Sequence, residues 1–157
     1  MELFNRCIKV VLKSEGGYVW HKSDPGGETN YGITKLFFPD EDIKNLTKIR
    51  AMELYYKYYW KPMRLDGINS EPLVLQIFDM GVNAGKSRAI KMIQKIVGVE
   101  TDGYCGPITK AHINSHEAPL ELFKQARRNY YTNLAKRKPE MKVFLKGWLA
   151  RVDNTHF

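Results

Sequence analysis

The sequence predicts a mainly α-helical fold with one small β element. Apolar residues recur at helical spacing along most of the chain, whereas strand-forming composition is confined to the first third, near residues 18–34. No internal repeat, low-complexity tract or linker divides the 157 residues. A chain of this length can bury a core without disulfides or metals, so we expect a single compact domain over residues 1–157.

The first predicted helix carries apolar residues between Leu3 and Val11 on one side, and Gly16 and Gly17 end it. A second helix is predicted from Thr47 to about Trp60, and Pro62 ends it. A third is predicted from about Glu71 to Val82 and a fourth after Gly85. Another helix should begin at Pro107, and the last two are predicted over about 119–138 and 140–152. In the Thr47 helix, the periodicity predicts a core stripe formed by Ile49, Met52, Tyr56 and Tyr59. The helix from Glu71 is predicted to be central and buried, because Asp79 is its only charge between Glu71 and Lys86.

The stretch SEGGYVWHKSDPGGETNYGIT, residues 14–34, indicates an active site. Glu15 is predicted in the last turn of the first helix, where the helix dipole opposes the charged carboxylate. Asp24 follows in a polar, glycine-rich loop that favours an ionised carboxylate. One acid that keeps its proton and another that stays charged are the pair required for hydrolysis of a glycosidic bond. An alternative is a solvated acid at a helix end beside an ordinary Asp-Pro-Gly-Gly turn.

The motifs EGGY and DPGGETNYGIT resemble the signature region of the glycoside hydrolase family 108 muramidases, in the lysozyme-like superfamily. FDMGVNAG, IQKIVGVETDGYCGPIT and FLKGWLARV resemble the region called peptidoglycan-binding type 3. The resemblance covers nearly the whole chain. It implies a lysozyme-like α+β fold, with a catalytic muramidase part over 1–95 and a helical peptidoglycan-binding part over 96–157. It also implies cleavage of the β-1,4 bond between N-acetylmuramic acid and N-acetylglucosamine.

The resemblance implies site residues as well. The glutamate of the EGG motif is the catalytic acid of the family, which here is Glu15. Other lysozyme-like phage muramidases have an Asp nine positions after the glutamate and a Thr six positions further. Asp24 matches the first spacing, whereas Thr29 falls one residue short of the second, and both are candidate catalytic residues. Whether Asp24 places water, with inversion, or attacks the sugar, with retention, is open; inversion is our expectation.

Three more residues are candidates for binding sugar. Tyr18 follows Glu15 and Tyr31 follows Asp24 in the sequence, and aromatic rings stack on sugar rings. Asn83 could hydrogen-bond to sugar, or equally bridge two helices.

We expect no metal and no cofactor, because His112 and His116 lack the glutamate spacing of zinc proteases. A disulfide between Cys7 and Cys105 stays open, although Cys7 is expected to be a packed free thiol.

The net charge of +8 favours an anionic partner, and nine basic against three acidic residues follow from Leu120 onwards. We expect that partner to be peptidoglycan. A nucleic-acid binder is a rival, but it lacks a recognisable motif; a non-catalytic wall-binding or secretion-accessory protein of the same fold is another. No secretory signal and no membrane-spanning stretch is recognised in the sequence. We therefore expect cytoplasmic synthesis, no stable membrane insertion, and action in the periplasm or wall after release through a holin-like pore or exporter.

Overall fold

The computed structural model describes residues 1–20 and 27–157. Asp24, the predicted second acid, lies outside the described residues. Within them the chain forms two compact units, residues 1–58 and 59–157. The predicted mainly helical fold with one small β element is confirmed. The predicted division into a catalytic part over 1–95 and a binding part over 96–157 stays a prediction.

The first unit begins with α1, Glu2–Glu15, whose buried side chains lie on one face: Phe4, Cys7, Ile8, Val11 and Leu12. Gly16 ends the helix with φ +73°, a conformation that glycine adopts without penalty. Two short strands follow, β1 (Thr29–Asn30) and β2 (Ile33–Thr34), which pair in antiparallel fashion with Thr29 opposite Thr34. The predicted helix end and the predicted small β element are therefore both confirmed.

The next helical segment starts with α2, Lys48–Tyr55, which Thr47 caps by accepting a hydrogen bond from the Arg50 backbone N–H. A π-helical turn, Tyr56–Trp60, and the short α3, Lys61–Met63, continue it, so the segment runs one residue beyond Pro62. The predicted core stripe is wrong: Ile49 is 72% exposed, and Ala51, Leu54 and Tyr55 are buried instead. Ile49 precedes the π-helical turn, so tertiary packing decides which face of α2 is buried. The π turn changes the helical register only from Tyr56 onwards.

The second unit consists of helices around a buried central one, as predicted for the segment from Glu71. Its elements are α4 (Glu71–Ala84), α5 (Lys86–Val97), α6 (Pro107–Ser115), α7 (Pro119–Arg137), a 3₁₀ helix (Pro139–Phe144) and α8 (Leu145–Asn154). Ser70 caps α4 through its hydroxyl, and a Cβ on Gly81 would come within 2.6 Å of the Met63 sulfur. The last helix, predicted over about 140–152, starts later than expected, because the 3₁₀ helix precedes it and α8 begins only at Leu145.

One buried charge cluster lies within the second unit. The Asp79 carboxylate, 1% exposed, pairs with Arg127 at 2.6 Å and with Arg151 at 2.8 Å. Burial by itself raises the pKa of Asp79, but the hydrogen bonds and charge of Arg151, with the charge of Arg127, outweigh it and hold the pKa below its usual range. This cluster ties α4 to α7 and α8 by charge-assisted hydrogen bonds.

The cysteines are free and buried, which answers the open disulfide question for Cys7 and Cys105. Burial raises the pKa of the Cys105 thiol, so the thiol stays neutral. No helix in the described part of the chain is both long enough and apolar enough to cross a membrane.

Candidate active site

Glu15 is the last residue of α1, and its side chain is half-buried. The helix places it there because the apolar face of α1 is packed in the core while the chain must turn away at Gly16. The carboxylate therefore lies at the C-terminal end of the helix, beside the turn of the chain at Gly16. The predicted location of Glu15 at the helix end is confirmed.

The β-hairpin supplies the surface opposite this carboxylate. Its two-residue turn is Tyr31-Gly32, and both residues have positive φ, +50° and +75°. Positive φ at both central positions defines the type I′ turn, whose twist matches that of antiparallel strands. Glycine adopts this conformation freely, whereas Tyr31 pays a steric penalty that other contacts must offset.

The carboxylate of Glu15 lies directly over this turn. A Cβ on Gly32 would be 2.7 Å from Glu15 Oε2 and would collide with the Tyr55 hydroxyl as well. Tyr55 is 1% exposed, and its hydroxyl donates a hydrogen bond of 3.0 Å to the Tyr31 carbonyl. The absence of a side chain at Gly32 therefore lets the acid, the tyrosine hydroxyl and the turn approach one another.

Two further predicted residues lie on the same hairpin. Thr29 is in β1 and also forms a bridge with Val19, through hydrogen bonds of 2.8 and 2.9 Å. Tyr18, 41% exposed, donates its hydroxyl hydrogen to Glu28 Oε1 at 3.0 Å. Desolvation, and then this hydrogen bond and the charge of Glu28, raise the pKa of Tyr18, so its hydroxyl remains a donor. Because Thr29 pairs with Val19, the neighbour of Tyr18, the two residues lie on paired segments of the chain. Both segments follow the helix that ends at Glu15.

Asn83 lies in the second unit, near the end of α4. Its side-chain amide donates a hydrogen bond of 2.6 Å to the hydroxyl of Tyr131 on α7. The geometry is that of a bridge between two helices, the alternative that the sequence left open. A role for Asn83 in binding sugar stays a prediction.

Sequence reasoning missed two residues of this region. Tyr55 was not singled out for the site because the predicted stripe placed other residues of α2 in the core. Glu28 was seen only as the start of a strand, although its carboxylate accepts from Tyr18. Glu28 could have been noted as a carboxylate within the motif GGETNYGIT, whereas nothing in the local pattern indicates Tyr55.

The His, Cys, Asp and Glu side chains are the candidate metal ligands. Within residues 1–20 and 27–157, no group of three or more His, Cys, Asp or Glu side chains is arranged to hold a metal ion. His112 Nδ1 lies 3.3 Å from the Val97 carbonyl, and His116 Nδ1 accepts from the Ala118 backbone N–H. Both histidines thus have local backbone partners.

The chain is similar to proteins of a known family. The sequence model described as glycosyl hydrolase 108 matches residues 8–85, which include Glu15 and the hairpin. A solved structure, that of Brucella abortus SagA, is 32% identical, covers 97% of this chain and 90% of its own, and superposes with a TM-score of 0.81. The chain belongs to the glycosyl hydrolase 108 family.

A second sequence model, described as a predicted peptidoglycan domain, matches residues 88–153 of this glycosyl hydrolase 108 protein. No curated protein matches the chain. Membership of the family makes the chain a glycoside hydrolase, and the second match gives peptidoglycan as the polymer on which it acts. The lysozyme-like fold implied by the motifs is confirmed by the structural match.

Proposed function

We propose that this glycosyl hydrolase 108 protein is an N-acetylmuramidase that cleaves the β-1,4 bond between N-acetylmuramic acid and N-acetylglucosamine. Glu15 is the general acid, which protonates the oxygen of the leaving sugar. General acid catalysis of this kind contributes typically about 10²–10⁴-fold to the rate. The half-buried carboxyl at the end of α1 suits this role, because its contact with the Tyr31-Gly32 turn gives it a defined position.

The observation that carries the proposal is the contact of the Glu15 carboxylate with the Tyr31-Gly32 turn. A surface glutamate needs no glycine opposite it, and the type I′ turn gives both Tyr31 and Gly32 a positive φ. Here both occur at one point, and the buried Tyr55 hydroxyl fixes the turn by its hydrogen bond to Tyr31. A carboxyl with a fixed position is what general acid catalysis requires.

Asp24 and Thr29 complete the proposed mechanism. Thr29 lies on the hairpin with its backbone paired to Val19, and its hydroxyl is proposed to position water or sugar. Asp24 is proposed as the carboxylate that orients the attacking water, which predicts inversion at the anomeric carbon. Tyr18 and Tyr31 are proposed to contact the sugar rings through their faces.

The route to the substrate is also a proposal. Peptidoglycan lies outside the cytoplasm, and we propose that the protein reaches it through a holin-like pore or an exporter. Either an endolysin or a secretion-associated muramidase fits this arrangement.

The test is a digest of purified peptidoglycan, followed by reduction of the products and mass spectrometry of the new ends. We expect reduced muramic acid at the new ends, whereas reduced glucosamine would contradict the proposed bond. Glu15→Gln keeps the shape of the side chain but cannot deliver a proton, so we expect at least about a hundredfold loss of rate with an unchanged melting temperature.

The matched control is Glu2→Gln, the same substitution at the exposed start of the same helix, which should leave the rate unchanged. A folded Glu15→Gln protein that still lyses walls at the wild-type rate would refute the assignment of the acid. A wild-type protein that binds walls without any cleavage would favour the non-catalytic accessory protein instead.

A further inference from the structure

A groove of about 990 Å³ lies between α5 and α7, within the second unit. Its floor is apolar and comes from both helices: Met92, Ile96, Leu122 and Ala126. Two walls of different chemistry rise from this floor. All of its lining belongs to residues 87–133, so neither Glu15 nor the hairpin contributes a lining residue.

The α5 wall is positively charged. Arg88, Lys91 and Lys95 recur at intervals of three and four residues, which places them along one side of the helix. Among the described residues that line the groove, none is acidic. Asp102 lies just outside and interacts with Lys91, but hydrogen bonds from the Tyr104 backbone and Gln94 already engage its carboxylate. The groove therefore presents a net positive charge.

The α7 wall is neutral and rich in amides. Gln125, Asn129 and Asn133 recur every four residues. The side-chain amide of Gln125 donates a hydrogen bond of 2.9 Å to the side-chain oxygen of Asn129. Tyr130 lies beside them, with the Arg88 guanidinium 5.0 Å from its ring centroid. Side-chain amides both donate and accept, so this wall matches a ligand with a peptide backbone.

We propose that this groove binds the carboxylate-bearing stem peptide of peptidoglycan. The inference rests on the proposed function, in that peptidoglycan is the polymer recognised. Lys91 and Lys95 pair with the carboxylates of the peptide, the amides of α7 pair with its backbone, and the apolar floor takes its small aliphatic side chains. The glycan alone does not fit as well, because its alternating amino sugars carry little charge once the lactyl groups are joined to peptides.

The groove is suited to this ligand by its size. A volume near 990 Å³ accommodates several amino acid residues but not a folded partner. A nucleic acid would need exposed rings for base stacking, yet Tyr130 is the only aromatic residue among the described lining residues, and Arg88 covers it.

The experiment measures binding of two soluble probes by calorimetry at about 0.15 M salt, where long-range charge attraction is screened. One probe is a muropeptide, a disaccharide with its stem peptide, and the other is the same disaccharide without peptide. We expect the wild-type protein to bind the muropeptide and to bind the bare disaccharide at least tenfold more weakly. Substitution of both groove lysines, Lys91→Gln with Lys95→Gln, should weaken muropeptide binding about five- to tenfold.

The matched control removes the same charge elsewhere in the unit, by Lys142→Gln with Lys146→Gln, and should bind the muropeptide like the wild type. A second pair separates charge from shape on the groove floor: Ala126→Glu should bind several-fold more weakly than Ala126→Gln, which has the same volume. Circular dichroism and thermal unfolding establish that each variant is folded.

Equal loss in both lysine pairs, equal binding of the two probes, or tighter binding of a short polyphosphate would each overturn the proposal. So would a wild-type protein that does not bind the muropeptide. Cleavage of peptide-free glycan strands by the wild type is measured in parallel. Peptide binding without cleavage would contradict the muramidase proposal alone, and cleavage without peptide binding would contradict the groove proposal alone.

Discussion

The carboxylate of Glu15 and the backbone of Gly32 are in direct apposition, so that a methyl group on residue 32 would lie 2.7 Å from Oε2. The contact joins the end of α1 to the turn of the hairpin. It makes the glycine necessary for two reasons, the positive φ of +75° and the lack of space for any side chain.

Gly32→Ala should therefore lower both activity and stability. We expect a loss of about 1–2 kcal/mol from the backbone conformation alone, and a larger total because Glu15 and Tyr55 must move. The control is Gly27→Ala, which shares a positive φ of +69° but meets only the Lys35 Cβ at 3.7 Å. Urea unfolding and the rate of wall lysis measure both effects; equal losses for the two variants would contradict the contact.

Tyr55→Phe tests the hydrogen bond that holds the turn. Removal of the hydroxyl leaves the Tyr31 carbonyl without this donor, and we expect a loss of about 1 kcal/mol together with reduced kcat. Tyr56→Phe is the control, since its ring keeps the edge-on contact with Phe4 at 5.1 Å. Unchanged kcat in a folded Tyr55→Phe protein would show that the turn is positioned by other contacts.

The buried cluster around Asp79 predicts a large loss of stability on Asp79→Asn. The substitution leaves Arg127, fully buried, and Arg151 without their shared counter-charge, which costs typically about 3–5 kcal/mol. The matched control is Asp153→Asn, because Asp153 pairs with Arg128 at the surface and should contribute only about 0–1 kcal/mol. Denaturant unfolding compares them; similar losses would mean that burial does not set the strength of these pairs.

The same cluster predicts acid sensitivity. The pKa of Asp79 is lower in the folded protein than the ordinary aspartate value of about 3.9, so the folded state is stabilised above that pH. This stabilisation should be lost as the pH falls from about 4 through the lower folded-state pKa. Melting temperatures recorded between pH 6 and pH 2 should fall less steeply in Asp79→Asn than in the wild type. Parallel curves would contradict a role for Asp79.

The basic region from Leu120 onwards should supply non-specific affinity for anionic wall polymers. Arg127, Arg128 and Arg151 are engaged with carboxylates, so the attraction comes from the others, such as Lys136, Arg137 and Lys138 at the end of α7. Sedimentation with intact walls should show binding that falls as sodium chloride is raised to several hundred millimolar, because salt screens exposed charges. Binding that is flat across this range would identify the region as a solubilising surface only.

Several local features of the structure could be predicted from the sequence alone. Local rules were sufficient for the end of α1 at Gly16, for the hairpin around Gly32, and for the burial of α4, since each depends on neighbours within a few residues. The family motifs around Glu15 and their expected place at a helix end also came from the sequence. These features are set by backbone conformation and by hydrophobic periodicity, which a single chain segment carries within itself.

Other features were decided only by the tertiary structure. Within α2 the buried face is formed by Ala51, Leu54 and Tyr55, and the Tyr55 hydroxyl donates a hydrogen bond to the Tyr31 carbonyl, 24 positions earlier in the chain. Distant parts of the chain decide which charges remain at the surface: Arg127 and Arg151 are counted as basic residues in the sequence, yet both are bound to Asp79. The physical reason is the same in both cases. Side chains separated by 24 to 72 positions meet through packing, and no local pattern records which pairs will form.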